Sequence, residues 1–348
     1  MKKMNAVVAY GAGDYRYKEV EYPEAGIDEI IIKIEAAGIC ASDRAVYLGQ
    51  DPWGGIISPK IPGHEFVGTI TKLGEEEARQ RNFREGDRVT AECILPCGEC
   101  YYCRKGLYHL CEDPDNFLEG GFAQYMKLPK RARIHKVPLS LAPEEAAIIE
   151  PLSCSAYAVE QASIGMRDTV VISGLGTIGM GMLQLAKLKN PYRLIGVDLD
   201  DGLCGIASEL GADLVLNPAR DDVEARIREV TDGVGCDIYM EASGNPISVK
   251  TGLQSLRKQG LLFIYSVFKN EASIDFNLIS EFKELTVKGG HLSPNMFPVV
   301  IKLLEEGKIN ARVMATDILP MEEVDRAMKA KACSAENRRP SIKTILIP

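Results

Sequence analysis

The hydrophobic rhythm of the chain changes near residue 165. Before that point apolar residues come in short, β-branched runs: EIIIKIEAAGI (29–39), EFVGTITKLG (65–74), DRVTAEC (87–93) and GFAQYMKL (121–128). Glycine, proline and aspartate separate them, a pattern that predicts a barrel or sandwich of short strands. The opening MKKMNAVVAYGAGDY reads as a first strand. Its apolar run is too short for a signal-peptide core, and no small-residue cleavage site follows.

Beyond residue 165 strands and helices alternate. TVVIS (169–173), RLIGVD (193–198), DLVLN (213–217), CDIYMEAS (236–243) and LLFIYS (261–266) have the texture of buried strands. Helical spacing falls between them, at 177–190, 202–212, 221–233 and 246–257. Such alternation predicts a parallel, doubly wound sheet. The tail adds helical stretches at 296–306 and 321–330 and a last strand, SIKTILI (341–347). The expected fold class is therefore α/β. The expected domains are 1–153 with 290–348, and 154–289. A length of 348 residues agrees with two domains.

Charge narrows the partners. The balance of 41 basic and 49 acidic residues, net −8, argues against a nucleic-acid or anionic-membrane surface. No apolar run approaches the roughly 20 residues of a membrane helix. The expectation is a cytoplasmic protein acting on a small molecule.

Two cysteine patterns and one glycine pattern carry the chemistry. Gly174-x-Gly176-x-x-Gly179 follows a buried strand and opens a helix. The first glycine permits a tight turn, the second lets a pyrophosphate approach the backbone, and the third allows close helix–strand packing. Thr177 and Ile178 belong to the same loop. Asp198 ends the next strand, where an acid binds an adenosine ribose 2′-hydroxyl and repels a 2′-phosphate. No arginine follows within Leu199, Asp200 and Asp201, so NAD is favoured over NADP. The competing reading makes Asp198 a helix N-cap.

Cys97-x2-Cys100-x2-Cys103-x7-Cys111 places four thiols within 15 residues. Four thiolates close a tetrahedral Zn²⁺ site and leave no position for substrate, so this metal is structural. An iron–sulfur cluster is the lesser alternative. His109 lies inside the lobe and reads as a bystander, and Cys93 beside it as a strand residue. A reactive metal needs other ligands. GICASDR (38–44), GHEFVG (63–68) and AIIEPLSC (147–154) each read as a strand–loop junction. They offer Cys40, His64, and Glu65 or Glu150, three protein ligands that leave room for water. Singly, each is ordinary: a small core cysteine, a satisfied histidine, an acid at the end of a strand.

In order, Cys-x-Ser-Asp, Gly-His-Glu-Phe-x-Gly, the four-cysteine lobe and the glycine fingerprint resemble the zinc-dependent medium-chain alcohol dehydrogenases, essentially end to end. IIEPLSC is similar to the polyol branch, typified by sorbitol dehydrogenase. GICASD and HLSP resemble erythritol/threitol dehydrogenases. The resemblance implies a GroES-like β-barrel domain completed by the C-terminal tail, with a Rossmann domain inserted. It implies two zinc ions per chain. Cys40 and His64 would bind the catalytic one, and Glu65 and Glu150 would compete for the third place, with Glu65 favoured. Asp43 would bond the far nitrogen of His64. Ser42 would bond the substrate oxygen and start a proton relay. Cys154, four residues past Glu150, could be mistaken for the cysteine ligand of the alcohol branch. The implied reaction is reversible oxidation of a secondary alcohol in a small polyol, with hydride passing to NAD. The loop at 49–63 and GGHLSPN (289–295) are expected to line the substrate site, with Trp53 either facing it or anchoring its loop. The rivals are an L-threonine 3-dehydrogenase-like activity and a non-catalytic nucleotide-binding protein. Family likeness suggests a homodimer or homotetramer.

Overall fold

A computed structural model describes residues 2–50, 59–76, 82–329 and 340–348. Trp53 and Cys333 lie outside the described residues. The chain divides into two compact units, Met1–Glu150 with Ser293–Pro348, and Pro151–Leu292.

The first unit starts with a hairpin, β1 (Lys3–Gly11) and β2 (Asp14–Glu21). Then follow β3 (Ile30–Gly38), β4 (Glu65–Leu73), β5 (Arg88–Ala91), β6 (Tyr125–Leu128) and β7 (Ile134–Lys136). The second unit contributes β8 (Thr169–Ser173), β9 (Arg193–Val197), β10 (Leu214–Leu216), β11 (Cys236–Glu241), β12 (Leu256–Ile264) and β13 (Thr286–Gly289). The chain then returns to the first unit with β14 (Ala315–Pro320) and β15 (Lys343–Ile347). There the sheet order is β14-β15-β3-β4-β5-β7, with β6 also paired to β3. The C-terminal strand β15 thus lies antiparallel against β3, inside the first unit. Ile30, Ile32, Ile34, Phe66, Ile70, Phe122 and Leu346 fill the core beneath.

In the second unit the strands run in the order β10-β9-β8-β11-β12-β13, all parallel. A parallel sheet needs both faces covered. Its central strand β8 is buried at every position, which explains why TVVIS carries no polar alternation. Among the described residues no helix is long and apolar enough to cross a membrane.

Three local readings need correction. AIIEPLSC is not a strand–loop junction: Glu150 lies in the first turn of a helix, Ile149–Ala162. A proline looks like a breaker there, but first-turn N–H groups have no intrahelical partner, so Pro151 costs little. Cys40 stands between a strand and a helix, as the N-cap residue of Ala41–Tyr47. Cys93 lies just past β5, which ends at Ala91.

Candidate functional site

The meeting of β3, β4 and β15 builds the site in the first unit. Gly38, the last residue of β3, pairs with Glu65, the first of β4. A Cβ on Gly38 would stand 2.2 Å from Glu65 Oε2, so only glycine leaves that carboxylate its place. Two residues on, Cys40 is extended (φ −78°, ψ 156°) and its N–H donates to Asp43 Oδ2 at 2.9 Å. The acid three residues after the cap fixes the entry of the short helix. Asp43 Oδ1 faces His64 Nδ1 at 3.8 Å. Among the described residues that buried nitrogen has no hydrogen-bond partner at normal distance.

Cys40, His64 and Glu65 each offer one ligand atom within 4.8 Å of the others. A thiolate, an imidazole and a carboxylate at this spacing fit a divalent zinc with a place left open. Ser42 lies in the first turn of the following helix. Glu150 is buried but stands outside that 4.8 Å set. Its charge is nevertheless felt at His64 and at Lys343.

Lys343 escaped the sequence reading. It is 3% exposed, and its Nζ donates to both carboxylate oxygens of Glu65 at 2.7 Å and to Ile39 O at 3.1 Å. The available signal was a lysine in the apolar run SIKTILI, since lysine is almost never fully buried without a partner.

The electrostatics of the site favour cations. Burial works against the His64 imidazolium, but Asp43, Cys40 and Glu150 outweigh it and hold its pKa well above the ordinary value. Burial also opposes the Lys343 ammonium, and Glu65, Cys40 and Glu150 raise its pKa. Burial pushes the Asp43 carboxyl up to about 6, against the pull of His64 and the Cys40 N–H. The carboxylates that favour a charged histidine and lysine would also stabilise a metal dication.

The four-cysteine lobe forms as expected. Cys97, Cys100, Cys103 and Cys111 bring their sulfurs within 4.8 Å of one another. Gly98 and Gly106 adopt φ of +78° and +76°, the left-handed turns that wrap the chain around them. Backbone N–H groups of Glu99 and Cys100 point at Cys97 Sγ (3.4 and 3.3 Å), and that of Cys103 at Cys100 Sγ (3.4 Å). Bonds of this kind favour thiolate. The N–H groups of Cys103 and Glu112 bring Cys100 down to about 6, while burial pushes Cys103 up to about 12. His109 is buried but is not one of the grouped ligands. Tyr108 ties the lobe to the unit. Its hydroxyl donates to Glu92 Oε2 and accepts from Asn295 N, both at 2.7 Å.

In the second unit the glycine fingerprint turns from β8 into the helix Thr177–Leu188, with Gly176 as its N-cap residue. Thr177 and Ile178 are its first two residues. Gly174 has φ +90°, and a Cβ there would stand 2.6 Å from Ser243 N. A Cβ on Gly179 would stand 1.7 Å from Gly174 O, which is the close packing expected of the third glycine. Gly176 faces open space, so a phosphate could approach its backbone. Asp198 is not the helix cap. Asp200 takes that role by accepting from Gly202 N and Leu203 N. Asp198 instead accepts from Leu175 N (2.7 Å) and Asp200 N (2.9 Å), which holds it beside the glycine loop. Cys154 is buried on the helix after Glu150.

Known proteins share this organisation. Residues 26–139 match the alcohol dehydrogenase GroES-like domain, and residues 177–306 the zinc-binding dehydrogenase domain. The chain is 41% identical to the erythritol/L-threitol dehydrogenase of Mycolicibacterium smegmatis, over 100% of this chain and 98% of that protein. It is 34% identical to the L-threonine 3-dehydrogenase of Pyrococcus abyssi, over 89% of each. The crystal structure, with NADP, of a Sinorhizobium meliloti protein described as a zinc-binding dehydrogenase is similar throughout. Its TM-score is 0.90, at 29% identity and 100% coverage of both chains.

Proposed function

Because the chain belongs to the zinc-binding alcohol dehydrogenase family with a GroES-like domain, we propose that it oxidises a secondary hydroxyl of a small polyol to the ketose, reversibly and with NAD. The convergence of Cys40, His64 and Glu65 carries the reading of chemistry. The erythritol/L-threitol dehydrogenase, at 41% identity, supports a four-carbon alditol as substrate.

Cys40 and His64 hold the catalytic zinc. Glu65 and Glu150 share the third protein position, and the Lys343 grip on both Glu65 oxygens supports Glu150 as its alternate. Asp43 faces the far nitrogen of His64 at 3.8 Å, beyond a hydrogen bond, and its charge raises the basicity of the ring. Cys97, Cys100, Cys103 and Cys111 hold a second, structural zinc. The bound groups supply Lewis acidity, which lowers a hydroxyl pKa, and a hydride acceptor. Ser42 bonds the substrate oxygen and passes its proton towards solvent as the carbon gives up hydride. Gly174, Gly176, Thr177, Ile178 and Gly179 cradle the pyrophosphate, and Asp198 takes the ribose hydroxyls. Asp198, held beside the glycine loop by Leu175 N and Asp200 N, disfavours a 2′-phosphate, which supports NAD.

An NADH-formation screen over C4–C6 alditols, inositols and threonine, with both cofactors, tests the reading. Turnover of erythritol or threitol with NAD is expected. Turnover of threonine alone would move the protein to the rival activity, which the 34% identity to an L-threonine 3-dehydrogenase favours. Turnover of nothing, with zinc only in the lobe, would leave a nucleotide-binding protein.

The second unit supports self-association. Its edge strand β13 is exposed at all four positions and has no strand partner on its outer side among the described residues. Its Val287 is exposed, as are Phe276 and Phe282 earlier in the chain. An unpaired strand edge invites another strand, so a homodimer through β13 is expected. Light scattering at micromolar concentration should give twice the chain mass, and Val287→Lys should halve it. A wild-type monomer would remove this proposal.

A further inference from the structure

Glu150 has a buried neighbour with no role so far. Cys93 Sγ donates to Glu150 Oε1 at 3.7 Å, and the two residues are 2% and 5% exposed. We propose that Cys93 is a positioning residue for Glu150. Its thiol fixes the rotation of the carboxylate, and with it the oxygen left for the metal or for water beside it. The inference rests on the reading of Glu150 as part of the catalytic centre.

Both partners sit on fixed supports. Just past β5, Glu92 N donates to Arg133 O (3.0 Å), Leu118 N to Cys93 O (2.7 Å) and Leu95 N to Asn116 O (2.6 Å). The backbone on either side of the thiol is therefore pinned. Glu92 adds a side-chain anchor, since Tyr108, Arg133 and His135 all contact its carboxylate. Glu150 belongs to a helix start flanked by fully buried Ile148 and Ile149. A site group held by rigid elements and supporting hydrogen bonds keeps its geometry. A free buried cysteine is ordinarily only a small apolar filler. What separates Cys93 from that case is its acceptor. A buried carboxylate needs donors, and this thiol supplies one of them.

The test compares Cys93→Ala, Cys93→Val, Cys93→Ser and Glu150→Gln in the full chain. Alanine and valine both remove the donor but change volume in opposite directions, so a defect they share is not a packing defect. Both should retain the lobe zinc while kcat/KM falls roughly 10–100-fold, the usual effect of losing a group that supports a metal site. The loss should fall on kcat rather than KM. The visible spectrum of the cobalt-substituted enzyme should shift in both, and Cys93→Ser should restore spectrum and rate. If one apolar variant does not fold, the other carries the comparison. Wild-type rates and spectra for the apolar variants, beside an inactive Glu150→Gln, overturn the role of Cys93 alone. A fully active Glu150→Gln overturns the role of Glu150 and this inference together.

Discussion

Cys40→Ser should leave the protein folded and its cysteine lobe loaded, yet stop turnover, whereas Cys97→Ser should cost the fold. Both substitutions exchange sulfur for oxygen at a candidate zinc ligand. They differ in what the surrounding chain can do without the metal. Cys40 is set by the β3–β15 meeting and by Asp43, whose carboxylate takes the Cys40 N–H. Those two contacts are made by the backbone, while the thiol faces His64. A hydroxyl is a poor substitute for thiolate towards zinc, so the reactive metal is lost or misplaced while the scaffold stands. The lobe has little regular structure of its own beyond the tie that Tyr108 makes to the unit. Between Cys97 and Cys111 its regular elements are a four-residue helix and a three-residue 3-10 turn. Tyr101, Leu107 and Leu110 are exposed there, so little apolar surface is buried in return for ordering the segment. Binding of a structural metal is then folding free energy. Zinc analysis should give two ions for the wild type, one for Cys40→Ser and at most one for Cys97→Ser. Thermal unfolding should be near wild type for Cys40→Ser and markedly lowered for Cys97→Ser. A fully active Cys40→Ser would end the assignment of the reactive metal.

Legibility in the sequence followed the distance over which each signal acts. The β8 strand, the glycine turn and the cysteine lobe are local, and each formed where its spacing placed it. The pattern of GFAQYMKL predicts a strand from residue 121, but β6 starts at Tyr125. Phe122 and Ala123 are drawn off to β1, where Val7 N bonds Phe122 O and Ala6 bridges Ala123. The helix holding Glu150 was hidden by Pro151, because a local rule about proline ignores its tolerance in a first turn. Ala41–Tyr47 is only seven residues long, too short to show a helical period. Lys343 was hidden by distance: it meets Glu65 across 278 residues of sequence. Nothing near either residue announces the other, and only the pairing of β15 with β3 brings them together.

That pair predicts the second large effect. Lys343→Met should destabilise the protein by about 3–5 kcal/mol, the usual cost of removing one partner of a buried ion pair. Glu65 is 1% exposed and cannot turn to water when the ammonium is gone. Gly38 leaves it no spare volume, since a single added carbon would touch its Oε2. The cost comes from the stranded carboxylate rather than from any large net value of the pair. Lys343→Met with Glu65→Gln should therefore recover much of the stability lost by the single change. Metal sharpens the expectation. A bound dication compensates the same carboxylate, so Lys343→Met should lower the melting temperature more in chelator-treated protein than in zinc-loaded protein. Stabilisation by a ligand grows with its affinity for the folded state. The variant should accordingly take up zinc at the reactive site more avidly than the wild type. Denaturant unfolding with and without chelator, and zinc competition against a chromophoric chelator, measure both. A single substitution costing under about 1 kcal/mol, the range of exposed pairs, would refute the buried pair. Equal losses with and without zinc would mean that Lys343 and the metal do not answer to the same carboxylate.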